Sequence, residues 1–236
     1  MKDTGIYKVA RSAYLSCVRL ICDRKRKPLI KPLRNSLLHF IRGGKTQHIN
    51  ELSIISSNCF AGRIMQDMGM EYNSPTLGLY FMYPDYIEFL SNLRYYLTEA
   101  KIEFVEHSKY PIGDKRRAEW SHWYPIGLLG GNVEIHFLHY HTEKDAAEKW
   151  YRRAERVNFD NLLIIGMQQN LCEEKDIIDF DALPFENKVM FSTLPLPLNS
   201  NEYMPEFCNS DCVGDPYRKG HLFYRHLISH FTTSHN

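Results

Sequence analysis

The sequence predicts an α/β protein: a three-layer sandwich around a mostly parallel or mixed sheet of about six strands, with a basic N-terminal helical arm. Three observations predict it. From residue 51 on, short apolar runs rich in β-branched residues alternate with helical segments at the spacing of strand–helix units. The chain is 44% hydrophobic and 13% aromatic, enough to bury a sizeable core. The charge is lopsided: residues 1–50 carry twelve Lys and Arg against Asp3 and Asp23, a net +10 that leaves −9 on the rest. Three segments are therefore expected: a basic amphipathic helical arm at 1–48, the α/β domain at 49–198, and a C-terminal extension packed on it at 199–236.

In the arm, residues 6–22, IYKVARSAYLSCVRLIC, read as a helix. Lys8, Arg11, Ser12, Ser16 and Arg19 gather on one side, with Ile6, Val9, Ala10, Cys17, Leu20 and Ile21 on the other. Pro28 cannot donate an N–H and is expected to end it. A shorter apolar pattern, Leu33, Leu37, Leu38 and Ile41, then runs to Gly43-Gly44. Strand one is Leu52–Ser57, followed by helix Ala61–Met68 closed by Gly69. Strand two, Leu77–Met82, leads into Pro84-Asp85 and a helix to Ala100; proline suits a first helical turn. Strand three is Glu103–His107. Residues 108–132, rich in Gly, Pro and Trp, read as a connection. Strand four is Val133–Tyr140. Thr142, with Asp145 three residues on, opens a helix that ends near Asn158. Strand five (Asn161–Met167), a helix (Glu173–Leu183) and strand six (Lys188–Thr193) complete the pattern, which fades after Pro195.

Composition excludes collagen-like, mucin-like and wholly disordered chains. Six cysteines, with no C-x-x-C pair, are too sparse for a disulfide scaffold. Reduced thiols and a cytoplasmic location are expected. No apolar run approaches the roughly 18 residues that a membrane span needs. The basic arm fits an anionic membrane surface, met through residues 6–34 at the inner face of the plasma membrane. The plainer reading is a helix packed on the body with its basic face in water. Nucleic acid is not expected, since no recognition module follows.

Chemistry centres on SIISSNCFAG, Ser53–Gly62. Ligands of open α/β sheets bind beyond the carboxyl ends of strands. Cys59 sits at such an end, before a helix whose first N–H groups and dipole favour an anion. It could be a nucleophile, part of an anion or oxyanion site with Asn58 as donor, or a small side chain filling a turn. A base is available in HFLHYH, where His139 and His141 lie where strand four turns into the next helix, on the rim of Cys59 if strands one and four are parallel. Three histidines and Glu134 could instead hold zinc, although neighbouring strand positions diverge. In KWYRRAERVN, Arg152, Arg153 and Arg156 make either a solvated, salt-bridged helix face or a phosphate clamp. No G-x-G-x-x-G or P-loop is present.

SIISSNCFAGRIMQDMGMEYNSPTLGLYF, YPIGLLGGNVEIHFLHYHTEKDAAEKWYRRAERVNFDNLLI and FDALPFENKVMFS, in that order within residues 50–195, resemble a bacterial family of uncharacterised exopolysaccharide or capsular polysaccharide biosynthesis proteins. The resemblance implies a three-layer α/β fold and a pathway rather than a reaction. Its motifs fall on Asn58, Cys59 and Gly62; on Asn73, Ser74, Pro75 and Thr76; on His139 and Tyr140; and on Trp150, Arg152 and Arg153. An acidic residue expected before the Ile-His-Phe strand is replaced by Gly-Gly-Asn, leaving Glu134. The Asn-Cys turn is also similar to the Gly-Asn-Cys turn of a capsule-synthesis acyltransferase group.

The expectation is a transferase acting on sugars or lipid-linked saccharides, with acyl transfer favoured. Cys59, His139 and Asn58 would be catalytic. Ser74, Thr76, His141, Arg152, Arg153 and Arg156 would bind substrate. No permanently bound cofactor or metal is expected; acyl-CoA or a nucleotide sugar would be consumed as co-substrate. The competing readings are a nucleotide-sugar glycosyltransferase, for which DFD at Asp179–Asp181 falls inside an expected helix, and a non-catalytic partner of the polysaccharide machinery.

Overall fold

The computed structural model describes residues 4–40 and 49–233. They fall into two compact units, Met1–Lys45 with Gly214–Asn236, and Thr46–Val213.

The first unit is a helix pair. Helix α1 runs from Thr4 to Phe40 and continues through Pro28 and Pro32. The expected break at Pro28 is thus corrected. Each proline removes one intrahelical bond, yet α1 packs along its partner helix. That partner, labelled α8 below, spans Pro216–Thr233 and bends at Lys219. On α1 the buried side chains are Cys22, Arg26, Leu33 and Leu37; on α8 they include Phe223, Tyr224, Leu227 and Phe231. The α1 set recurs at four- and seven-residue steps, and Tyr224, Leu227 and Phe231 at three- and four-residue steps, the spacing of one helix face. The Cys22 thiol donates to the Arg218 carbonyl, and Arg26 pairs with Asp23 at 2.9 Å. Leu20 and Ile21, expected on the apolar side of the arm, are exposed. The stop at Gly43-Gly44 and the side chains of residues 4–19 lie outside the described residues. The expected extension 199–236 divides at Val213: its helical part shares a unit with α1.

In the second unit, β1 (Ser53–Ser56) leads into α2 (Phe60–Met68), which Gly69 closes in the left-handed region. Then come β2 (Tyr80–Phe81), α3 (Tyr83–Ser91), α4 (Leu93–Thr98), β3 (Ile102–Val105), α5 (Pro111–Glu119), β4 (Ile126–Leu129) and β5 (Val133–His136). They are followed by α6 (Glu143–Ala154), β6 (Leu162–Met167), α7 (Glu174–Ala182), β7 (Lys188–Ser192) and β8 (Asn201–Tyr203).

The α/β class is as expected, but a single sheet of six strands is not what forms. Two four-stranded sheets are present among the described residues: a parallel one, β1-β6-β7-β8, and an antiparallel one, β2-β5-β4-β3. The stretch read as a connection, 108–132, contains α5 and β4. Strand β4 is only IGLL, too short to show a period, and β8 is the polar NEY. The sheets meet where Phe81 N–H donates to the Ser57 carbonyl at 3.0 Å.

Aromatic residues fill the core. Tyr83, Tyr86 and Phe89 lie three residues apart on one face of α3, fully buried. Phe81 stacks on Phe89 at 5.0 Å, and Trp150 approaches Phe89 at 6.0 Å. The Tyr86 hydroxyl donates to the Ile165 carbonyl at 2.9 Å, so a buried phenol keeps its bond while its ring packs. Helix α6 opens as its sequence predicts: Thr142 Oγ1 accepts the Asp145 N–H at 3.1 Å. Thr142→Ala should cost about 1 kcal/mol, read as a lowered urea midpoint, whereas Thr142→Ser should be nearly neutral.

Candidate functional site

The turn after β1 is built by short polar side chains. Asn58 Oδ1 accepts the Phe60 N–H at 3.0 Å, and Ser56 Oγ accepts the Ala61 N–H at 3.1 Å. These two bonds satisfy donors at the start of α2. Both amide hydrogens of Asn58 are engaged too, at Gln169 Oε1 (2.9 Å) and Met167 Sδ (3.0 Å). In this conformation Asn58 shapes the turn and positions Cys59; it does not present a donor to an oxyanion. Ser74 and Thr76 are also structural in place: both are fully buried, Thr76 Oγ1 accepts the Ser56 N–H at 3.1 Å, and the two hydroxyls lie 3.1 Å apart.

The buried Cys59 thiol and the backbone N–H of His139 both bond to the segment 77–79, while the His139 side chain is exposed. Three consecutive carbonyls of that segment accept from the site. Leu77 O takes the Tyr140 hydroxyl at 2.6 Å, Gly78 O takes the His139 N–H at 2.9 Å, and Leu79 O takes the Cys59 thiol at 3.4 Å. Gly78 permits this. Its φ of +74° suits glycine, and a Cβ there would lie 3.3 Å from both His139 Cβ and the Tyr140 ring. The route differs from the expected one: β5 lies in the other sheet from β1, and His139 and His141 stand beyond its end.

Arg153 Nη1 donates to the Tyr140 hydroxyl at 2.6 Å, and its guanidinium lies 5.7 Å from the centre of the exposed Tyr72 ring. Lys149 Nζ lies 5.4 Å from the Tyr140 ring centre. Burial pushes the Tyr140 hydroxyl above its ordinary pKa, against the Arg153 charge. Arg152 and Arg156 are exposed, and Arg156 falls beyond the end of α6, so the three arginines do not form one clamp.

Desolvation, and then the nearby His122, holds the His139 imidazole below its ordinary pKa. His122 and His141 rings are 4.7 Å apart, and His122 Nε2 lies 3.1 Å from the Leu138 carbonyl. Trp120 is 6.5 Å from His122, and Trp120 and Trp123 are exposed. Imidazole and indole rings thus crowd the surface beside His139.

A second locus is denser in buried charge. Asp85 Oδ1 accepts from Lys109 Nζ (2.6 Å) and the Tyr110 hydroxyl (3.1 Å), while Oδ2 accepts the Glu134 N–H (2.8 Å). The Glu134 carboxylate accepts from Ser108 Oγ (2.5 Å), the Lys109 N–H (2.7 Å) and His136 Nε2 (2.7 Å). Glu134 and His136 are fully buried, and Tyr80 stacks on the imidazole at 4.4 Å. Burial raises the Glu134 pKa, but the His136, Ser108 and Lys109 hydrogen bonds outweigh it and hold the group below the usual range. For Asp85 burial wins over its donors and the pKa is raised. His136 Nδ1 has no partner, which fits a proton on Nε2 facing Glu134.

A domain of unknown function, DUF1919, matches residues 37–234. The chain belongs to the DUF1919 family. An uncharacterised protein of Haemophilus influenzae is 38% identical over 165 residues, which cover 70% of this chain and 73% of that protein.

In this DUF1919 chain the buried network escaped the sequence reading for a definable reason. Alternation put Glu134 and His136 on one strand face, and that signal was legible. Ser108, Lys109 and Tyr110 sat in the supposed connection, and nothing local pairs them with residues 24 to 26 positions away. The three histidines of HFLHYH do not gather round a metal: His136 is sealed against Glu134, while His139 and His141 are exposed. Among the described residues no group of three His, Cys, Asp or Glu is arranged to hold one.

Proposed function

We propose that this DUF1919 protein is a transferase of exopolysaccharide or capsular polysaccharide assembly that moves an acyl group onto a sugar at the inner face of the plasma membrane. The observation that supports the reading is that the Cys59 thiol, the His139 backbone N–H and the Tyr140 hydroxyl bond to three consecutive carbonyls of residues 77–79, with Arg153 on the Tyr140 hydroxyl. The Cys59 sulfur attacks the acyl carbonyl of a thioester donor as its proton passes to His139. The donor thiolate leaves and takes that proton back. A sugar hydroxyl, deprotonated by His139, then attacks the Cys59 thioester, and the thiol is restored. Arg153 offers positive charge to donor phosphates, whereas Lys149 is paired with Asp145 at 2.8 Å. Trp120, Trp123 and the adjacent imidazoles offer ring faces for the C–H bonds of a pyranose and nitrogens for its hydroxyls.

A metal-dependent nucleotide-sugar reaction is less well served. In DFD, Asp181 accepts the N–H and hydroxyl of Ser200, each at 2.7 Å, and Asp179 pairs with Lys175 at 3.1 Å. Thermal unfolding with short-chain acyl-CoAs, and with nucleotide sugars with and without Mn²⁺, tests the reading. A donor at a hundred times its Kd stabilises by about 2.7 kcal/mol. An acyl-CoA response with an acyl mass added at Cys59 is expected. A response to nucleotide sugars alone would replace the proposal with glycosyl transfer. No response, with Cys59 alkylated by iodoacetamide no faster than an ordinary exposed thiol, would leave a non-catalytic partner.

A further inference from the structure

Helix α1 has a face that its own unit leaves uncovered. Cys22, Arg26, Leu33 and Leu37 are buried and, at 100° per residue, span about 60° of the helix. On the opposite side, within about 60° of one another, stand Leu20, Arg24, Lys27 and Lys31, all exposed. Ile21 flanks this face and is exposed as well. Leu20 is 68% and Ile21 56% exposed, unusual for adjacent large aliphatic residues. Asp23 pairs with the buried Arg26 at 2.9 Å. Three exposed cations, Arg24, Lys27 and Lys31, share the outward face with Leu20.

We propose that this face docks the protein on an anionic bilayer. Leu20 and Ile21 enter the boundary between headgroups and acyl chains, and Arg24, Lys27 and Lys31 lie among the lipid phosphates. Lipid is favoured over nucleic acid because phosphate backbone alone would leave both aliphatic side chains in water. A bilayer interface accepts the charges and the apolar pair together. No described helix is long and apolar enough to cross a membrane, so the contact is lateral. Residues 20–31 precede the DUF1919 match at 37–234. The inference rests on the proposed location at the membrane face but not on the transfer chemistry.

The test is co-sedimentation of the full chain with vesicles of phosphatidylcholine alone, or of three parts phosphatidylcholine to one of phosphatidylglycerol. Binding to the anionic vesicles is expected, weakening as salt is added. Each basic side chain near an anionic surface strengthens binding by about fivefold, so Lys27→Gln with Lys31→Gln should weaken it about 25-fold. Leu20→Ser with Ile21→Ser should weaken it as well, by a factor that salt does not alter. These side chains are exposed, so both double variants should melt with the wild type. Equal vesicle binding by wild type and both variants overturns the proposal. So does salt-sensitive binding to duplex DNA without vesicle binding. Transfer to a water-soluble acceptor should survive in both variants, which separates failure of docking from failure of the enzymatic reading.

Discussion

Glu134→Ala is expected to destabilise the second unit by about 3–5 kcal/mol, the cost of removing one partner from a buried charged network. The carboxylate is fully buried and is the common acceptor for Ser108 Oγ, the Lys109 N–H and His136 Nε2. Alanine strands all three donors at once and leaves a void beside the stacked Tyr80 and His136 rings. It also frees the 106–110 segment, because two of the three donors come from it. Glu134→Gln keeps the shape and one carbonyl acceptor, so its cost should be clearly smaller. Urea unfolding of both variants decides the matter: a loss below about 1 kcal/mol for alanine would show that the network merely decorates the fold.

The same carboxylate sets an acid limit. The folded pKa of Glu134 lies below its ordinary 4.5. Its contribution to stability is therefore complete above the unfolded value and is lost as pH falls through the folded one. Asp85 works in the opposite sense. Its folded pKa is raised above 3.8, so folding disfavours its charge, and stability declines as pH rises from the unfolded toward the folded value. Glu134→Gln should flatten the acid limb of the stability curve, and Asp85→Asn, by removing the opposing slope, should steepen it. Superimposable limbs for wild type and Glu134→Gln would contradict the hydrogen-bond account of the shift.

Much of this architecture was legible locally. β1, α2 with its Gly69 stop, the Thr142 cap, β6, α7 and β7 each announce themselves in a few residues, because periodicity, capping and glycine act over one or two turns. The division into two sheets was not legible. Strand β2 is two residues long, β4 four and β8 three, all too short for alternation to register. The continuity of α1 was hidden for another reason: proline is a local penalty, while packing against α8 is a tertiary gain that no window around Pro28 contains. The site was legible in its members and not in its wiring. Asn58, Cys59 and His139 were visible, but Asn58 spends its donors on Gln169 and Met167, while Arg153 brings its charge to the Tyr140 hydroxyl.

Cys59→Ala and His139→Ala should separate chemistry from folding. If the sulfur carries the acyl group, Cys59→Ala abolishes both transfer and the covalent adduct. Removing a positioned base should cost about 10²–10⁴-fold in rate, with the alkaline plateau of the pH–rate profile lost. Desolvation and His122 depress the His139 pKa, so the neutral, proton-accepting imidazole is present across neutral pH in the wild type. The rate should then rise through a pKa below 6.5 and stay level above it. His122→Ala removes one of the two causes of that shift and should move the inflection upward without abolishing turnover. Stability should change little in the His139 variant, because the bond to Gly78 uses the His139 backbone and the side chain is exposed. Cys59→Ala must also leave the Leu77–Tyr140 bond intact, which a melting point close to wild type would report. A Cys59→Ala protein that transfers acyl groups at the wild-type rate would remove the nucleophile from this mechanism. A His139→Ala protein that keeps the wild-type inflection would move the base elsewhere in the imidazole cluster, to His122 or His141.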